Sequence, residues 1–253
     1  MALVRKAPWL KQHEQTVNLF HSDRHAYYLA RLLGMFENWQ VKGENTFITF
    51  NYDTVLEDSL FNLGLPFSYG LGKQTKNLDC SARVSSDGSG LQVLKLHGSL
   101  NWAKQTKRRG RAFTVFGNYS DVRKAGLIPE LVPPTWKKTF QGQIGDVWSS
   151  AVRNLQTATR VVVIGFSMPP TDMHFKYLIA AGLQQNVSLR QIVFYNPAAA
   201  ELKARALTLF RGSYIETEKI VFDATPLSAL AARQDLLGHI GRQSHYGATI
   251  QFN

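Results

Sequence analysis

The run Val161-Val162-Val163-Ile164 constrains this chain more than any other feature. Four consecutive apolar, β-branched residues describe a strand buried on both faces. That environment belongs to a parallel sheet covered by helices on either side. The run stops at Gly165-Phe166-Ser167, where glycine and serine supply turn chemistry.

Other segments repeat the pattern. Thr46-Phe47-Ile48-Thr49-Phe50 reads as a strand that hands over at Asn51-Tyr52-Asp53-Thr54 to a helix. Leu56, Leu60 and Leu63 share one face of that helix, and Gly64 closes it. Leu91 to Leu96 is a strand ending at His97-Gly98-Ser99, and Gln191 to Tyr195 is another. Asn196-Pro197 then reads as the N-cap and first residue of a helix ending near Gly212. Further helices are predicted over 24–41, from the spacing of Leu29, Leu32, Leu33 and Phe36, and over about 143–157. Two more follow the Pro169-Pro170-Thr171-Asp172 turn, through about Leu183, and the Thr225-Pro226 signature. Residues 65–140 read as an irregular insertion. It holds a hairpin whose second strand is Ala112 to Phe116, with its turn at Gly110, and a rigid connector at Pro129, Pro133 and Pro134. The alternation predicts a Rossmann-like α/β fold, a mostly parallel sheet flanked by helices.

Composition excludes several classes. With 44% hydrophobic residues and 19% charged, the 253-residue chain has the makings of a substantial core. One cysteine, Cys80, allows neither an intramolecular disulfide nor a four-thiolate zinc site. No apolar stretch approaches the ~20 residues of a membrane span, and no secretory h-region follows the N-terminal charges, so a cytoplasmic location without membrane contact is expected. A net charge of +11 favours anionic and phosphate-bearing ligands.

In doubly wound sheets, ligands bind outside the carboxyl ends of the strands. Four strands here end in polar or glycine residues: Asn51 with Asp53, His97, Gly165 with Ser167, and Asn196. Each alone has a plain local role. Asn51, Asp53 and Asn196 suit helix caps, His97 suits a turn, and Ser167 can serve its own backbone. Their expected convergence on one sheet edge is what marks them as a candidate site.

Three strings, Phe50-Asn51-Tyr52-Asp53, Lys95-Leu96-His97-Gly98-Ser99-Leu100-Asn101-Trp102 and Val163 to Phe175, resemble the SIR2-like proteins. More narrowly, they are similar to the bacterial NAD-consuming branch associated with phage defence. The resemblance spans roughly 46–225, and Pro133-Pro134-Thr135-Trp136-Lys137 also looks like a family block. It implies hydrolysis of NAD to nicotinamide and ADP-ribose. By resemblance, Asn51 holds the attacking water, His97 acts as base or polarises the ribose hydroxyls, and Asp53 contacts the nicotinamide carboxamide. Gly165 and Ser167 would approach ribose and phosphates, and Asn196 the adenosine ribose. A defence-system partner protein or self-association is also implied.

Two departures accompany the resemblance. The Cys-x-x-Cys pairs of zinc-bearing deacetylases are missing, which argues against peptide deacetylation and against zinc. The family's opening strand and Gly-Ala-Gly-x-Ser phosphate loop also have no counterpart, because Gly34 is the sole glycine before position 43. The expectation is a single SIR2-like domain over 1–253, N-terminally incomplete, its first βα unit missing. The chain is then part of a longer product, is completed by a partner, or has become an inactive NAD- or ADP-ribose-binding module.

Two rival readings come from the residues themselves. Ser167 follows a strand as a hydrolase nucleophile would, with Asp223 or Asp235 and His239 as partners, but Pro169 stands where that elbow needs glycine. Between Gly88 and Ser120 the six basic residues Lys95, Lys104, Lys107, Arg108, Arg109 and Arg111 meet no acidic one. Lys104 to Arg111, followed by Phe113, Phe116 and Tyr119, could bind nucleic acid, although a solvated hairpin tip explains the same run. Asp172 and His174, two residues apart without a third ligand, do not make a metal pair.

Overall fold

The computed structural model describes residues 23–33, 35, 44–71, 76–77, 84, 90–104, 113–132, 142–169, 173–184, 186–210, 215–226 and 248–251. The chain order is α1 (Arg24–Leu32), β1 (Asn45–Thr49), α2 (Val55–Asn62), β2 (Phe67–Ser68), β3 (Lys76–Asn77), β4 (Leu91–Lys95), β5 (Gly98–Lys104) and β6 (Phe113–Val115). Then come α3 (Tyr119–Lys124), β7 (Pro129–Leu131), α4 (Gly142–Thr157), β8 (Arg160–Ile164), α5 (Met173–Leu183), β9 (Gln191–Tyr195) and α6 (Ala199–Phe210). A short 3-10 turn (Thr217–Lys219), β10 (Ile220–Asp223) and β11 (Ala248–Gln251) complete it.

Seven strands form one sheet in the order β10-β9-β8-β11-β1-β4-β2, and every neighbouring pair is parallel. The sequence pattern explains why. All five residues of β1 and of β8 are buried, as strands covered on both faces require. Phe47, Leu94, Val162 and Phe194 from the central strands sit in a core that also takes in Leu32, Leu60, Trp148, Leu178 and Leu202 from the helices.

The order has a specific reading. In a sheet of order 3-2-1-4-5-6, strands 3, 2, 4, 5 and 6 correspond to β4, β1, β8, β9 and β10. The slot of strand 1 is filled by β11, the most C-terminal strand. Its register is continuous on both sides, with Thr249 opposite Thr46 on β1 and Val161 on β8. The central position of the sheet is thus supplied by residues 248–251.

A second, four-stranded sheet has the order β3-β6-β5-β7. The sequence places a turn at His97-Gly98-Ser99 and no strand until 112, whereas β5 begins at Gly98. The reason is local: Gly98 has φ +83, so the chain reverses within one residue and enters the second sheet. β5 then pairs antiparallel with β6, Trp102 facing Val115, and with β7. The tip between β5 and β6, with Lys107, Arg108, Arg109 and Arg111, lies outside the described residues. So do Cys80, Pro133–Lys137, Asp172, Asp235, His239 and any helix after Pro226. The helix expected over 24–41 is described as α1, with one further helical residue at Met35.

Candidate functional site

Because the large sheet is parallel throughout, β1, β4, β8 and β9 all end on one edge. At the end of β1 the chain turns through Asn51-Tyr52-Asp53. The Asn51 N–H bonds Thr49 Oγ1 at 3.0 Å, and Asp53 Oδ1 accepts the Val55 N–H at 3.1 Å. Asp53 therefore starts α2 while Thr54, the formal N-cap, makes no side-chain cap bond and instead donates to Asp58 Oδ2 at 3.1 Å.

The β1 turn is stitched to the segment after β4. The Leu96 N–H bonds the Thr49 carbonyl at 3.0 Å, and the Leu100 N–H bonds the Tyr52 carbonyl at 2.9 Å. Lys95, 1% exposed, donates to the Asp53 carbonyl and, at 2.8 Å, to Glu57 Oε1 on α2. Tyr69 also donates to Glu57 Oε1, at 3.2 Å, and accepts from Asn101 Nδ2 at 3.1 Å. Ser99 donates to Asn101 Oδ1 at 2.6 Å. The polar residues of the His97–Asn101 segment thus form a buried scaffold around the turn that carries Asn51.

A cavity of about 190 Å³ opens between α1 and α2 at this edge. Asn51 and Asp53 line it together, with Thr49, Glu57 and Lys95 as further polar walls and Tyr28, Leu29 and Leu56 as apolar ones. His97 is not among its lining residues. The His97 ring is buried against Phe50, with centroids 5.0 Å apart, and stacks on Tyr52 at 6.1 Å. His174 of α5 meets it edge-on at 5.4 Å and also packs on Trp148. Asn51 and His97 therefore stand on adjacent strand ends, one in the cavity and one in the aromatic cluster.

The β8 end brings a third group. Gly165 is exposed, has φ +71, and its N–H bonds the Tyr195 carbonyl at 3.0 Å. Ser167 is exposed at the tip, and buried Met168 next to it has φ +48, an uncommon conformation for a non-glycine residue. Asn196 behaves as the cap its sequence suggests. Its Oδ1 accepts the Ala198 N–H at 2.8 Å, and its Nδ2 donates to the Phe166 carbonyl at 3.2 Å. Both side-chain polar atoms are engaged within the protein, so Asn196 ties the Gly165–Ser167 turn to the head of α6.

On the hydrolase reading, Asp223 accepts the Thr225 N–H at 2.8 Å, and its other proposed partners lie outside the described residues. Lys104, the described cation of the basic stretch, pairs with Glu130 at 2.6 Å. Among the described residues no group of three His, Cys, Asp or Glu could hold a metal, and no helix is long and apolar enough to cross a membrane.

Sequence reasoning did not single out Lys95, Glu57, Tyr69, Trp148 or His174 as a site network. The one available signal was Lys95 itself, a charge in an otherwise apolar strand. A family model described as SIR2-like domain matches residues 45–218, from β1 into the turn before β10. No curated protein matches the chain.

Proposed function

The chain belongs to the SIR2-like domain family, and from that premise we propose that it hydrolyses NAD at the nicotinamide–ribose bond, giving nicotinamide and ADP-ribose. SIR2-like domains take NAD as substrate. The observation that carries the proposal is the gathering of the Asn51–Asp53 turn, His97 and the Gly165–Ser167 turn on one edge of a parallel sheet, the edge where such sheets bind dinucleotides.

The chemistry asks little of an acid catalyst. As the bond breaks, its electron pair goes to the pyridinium nitrogen and nicotinamide leaves neutral, while positive charge develops on the ribose. A water oxygen then bonds the anomeric carbon and loses a proton. In this reading the Asn51 amide holds the water, and His97, on the adjacent strand end, takes the proton or polarises the ribose hydroxyls. Asp53 lies beside Asn51 at the nicotinamide end. Gly165, without a Cβ, lets the backbone approach ribose and phosphate, with Ser167 at the tip. Asn196 holds that turn. NAD depletion in antiphage defence is the biological output consistent with the three motif blocks.

The deciding experiment incubates the purified protein with NAD and separates the products chromatographically. Equal amounts of nicotinamide and ADP-ribose are expected. Intact NAD, with no nicotinamide formed, overturns the proposal.

A further inference from the structure

A cavity of about 580 Å³ opens between the first turns of α5 and the second half of α6. Its volume falls within the range of pockets that take small organic ligands, roughly 300–1,000 Å³. Neither the Asn51–Asp53 turn, His97, Gly165, Ser167 nor Asn196 is among its lining residues, so it is separate from the strand-end site. Met168 and Pro169 form an apolar wall with Leu209 of α6. Pro169 is exposed and Leu209 half-buried, which leaves that wall open to a ligand.

Two cations also line the cavity, Lys176 from α5 and Arg205 from α6, and both are half-buried. No acidic side chain is among the described residues that line it. Glu201 stands one turn before Arg205 on α6, yet no ion pair joins the two among the described residues. A guanidinium offers two parallel N–H donors, a geometry that fits phosphate oxygens. A phosphate monoester carries a charge of about −1.5 to −2 at neutral pH, which matches two cations. A single carboxylate leaves one of them uncompensated. Thr208, the other polar residue of the lining, donates its hydroxyl to the Ala204 carbonyl at 3.0 Å. Little is left to read the polar edge of a ring, whereas the apolar wall accepts its flat face.

We propose that this cavity binds a nucleoside monophosphate, the phosphate between Lys176 and Arg205 and the base flat against Pro169 and Leu209, with little discrimination among bases. Every base presents a flat face, so an apolar wall tolerates them all. The site does not depend on NAD hydrolysis.

The test is calorimetric binding of UMP, AMP, uridine and octanoate to the purified protein, which needs no turnover. UMP and AMP are expected to bind within about 5-fold of each other, and uridine and octanoate at least about 10-fold more weakly than UMP. Arg205→Glu is expected to weaken UMP by at least about 10-fold. Ala204→Trp, which fills the cavity from an exposed helix position, is expected to do the same with the thermal midpoint unmoved. It keeps the test decisive if Arg205→Glu does not fold. Ser167→Ala, at the strand-end edge, should leave UMP binding unchanged. Failure of UMP to bind, uridine or octanoate binding as tightly as UMP, a clear preference for AMP, or unaltered UMP binding in folded Arg205→Glu or in Ala204→Trp each overturns the site. Weaker UMP binding in Ser167→Ala would place the nucleotide at the strand ends and overturns it too.

Discussion

Trp148 donates its indole N–H to the carbonyl of Leu96 at 2.9 Å, the last residue before His97. The same ring packs against Phe50 and His174, both of which touch His97. One side chain of α4 thus sets where the β4 chain turns and what the imidazole leans on.

Trp148→Phe keeps an aromatic ring and deletes the donor. Stability by urea denaturation is expected to fall by about 1–2 kcal/mol, since a buried carbonyl loses its partner. If NAD is hydrolysed, kcat should fall more than KM rises. An unchanged midpoint together with unchanged kcat would show that the bond does not position His97.

Lys95 and Glu57 are expected to behave as a unit. Glu57→Leu strands a buried ammonium and should cost about 3–5 kcal/mol. Adding Lys95→Met removes the stranded charge, so the double variant should be more stable than Glu57→Leu alone. A double variant less stable than Glu57→Leu would mean that the Lys95 bond to the Asp53 carbonyl matters more than the ion pair.

Gly98 and Gly126 separate conformational strain from collision. Both have positive φ, but a Cβ at 98 would collide with the Glu130 carbonyl oxygen, whereas nothing stands within 4 Å at 126. Gly126→Ala should cost about 1 kcal/mol. Gly98→Ala should exceed about 3 kcal/mol because strain and overpacking add. Comparable losses would mean that β7 yields easily.

Burial raises the Tyr52 phenol above its usual value of about 10. The folded chain then holds this proton more tightly than the unfolded chain does. The resulting stabilisation is complete below the unfolded value and is lost as pH rises through the higher folded value. Tyr52→Phe should flatten the fall in stability above about pH 10, measured by denaturation across that range. An identical slope in both proteins would contradict the burial effect.

Asn51→Ala and His97→Ala should each lower nicotinamide release by about 100-fold or more while circular dichroism remains that of the parent. Parental turnover in either variant would remove that residue from the proposed mechanism.

Much of the parallel sheet could be read in advance because its strands are short apolar runs ending in polar turns, as Val161–Ile164 and Gln191–Tyr195 illustrate. The turns at Asn51, His97, Gly165 and Asn196 were visible for the same reason. The strand at Gly98–Lys104 was not, since Gly98-Ser99 reads as a turn until the reversal into a second sheet is known. The Lys95–Glu57 pair was equally hidden. Its partners lie 38 residues apart, and no local periodicity links a strand lysine to a helix glutamate. The separation of Asn51 from His97 into a cavity and an aromatic cluster depends on side-chain direction, which strand-end spacing alone does not carry.

The place of Ala248–Gln251 between β1 and β8 bears on how this protein is made. Residues 45–223 can emerge from the ribosome and form helices and flanking strands, yet β1 and β8 have no partner on their facing edges until residue 248 is free of the exit tunnel. Asn45–Phe47 and Arg160–Val163 therefore wait as two open edges during synthesis. Joining the two halves of the sheet is a long-range contact, because residues 248–251 must come back between Asn45–Phe47 and Arg160–Val163.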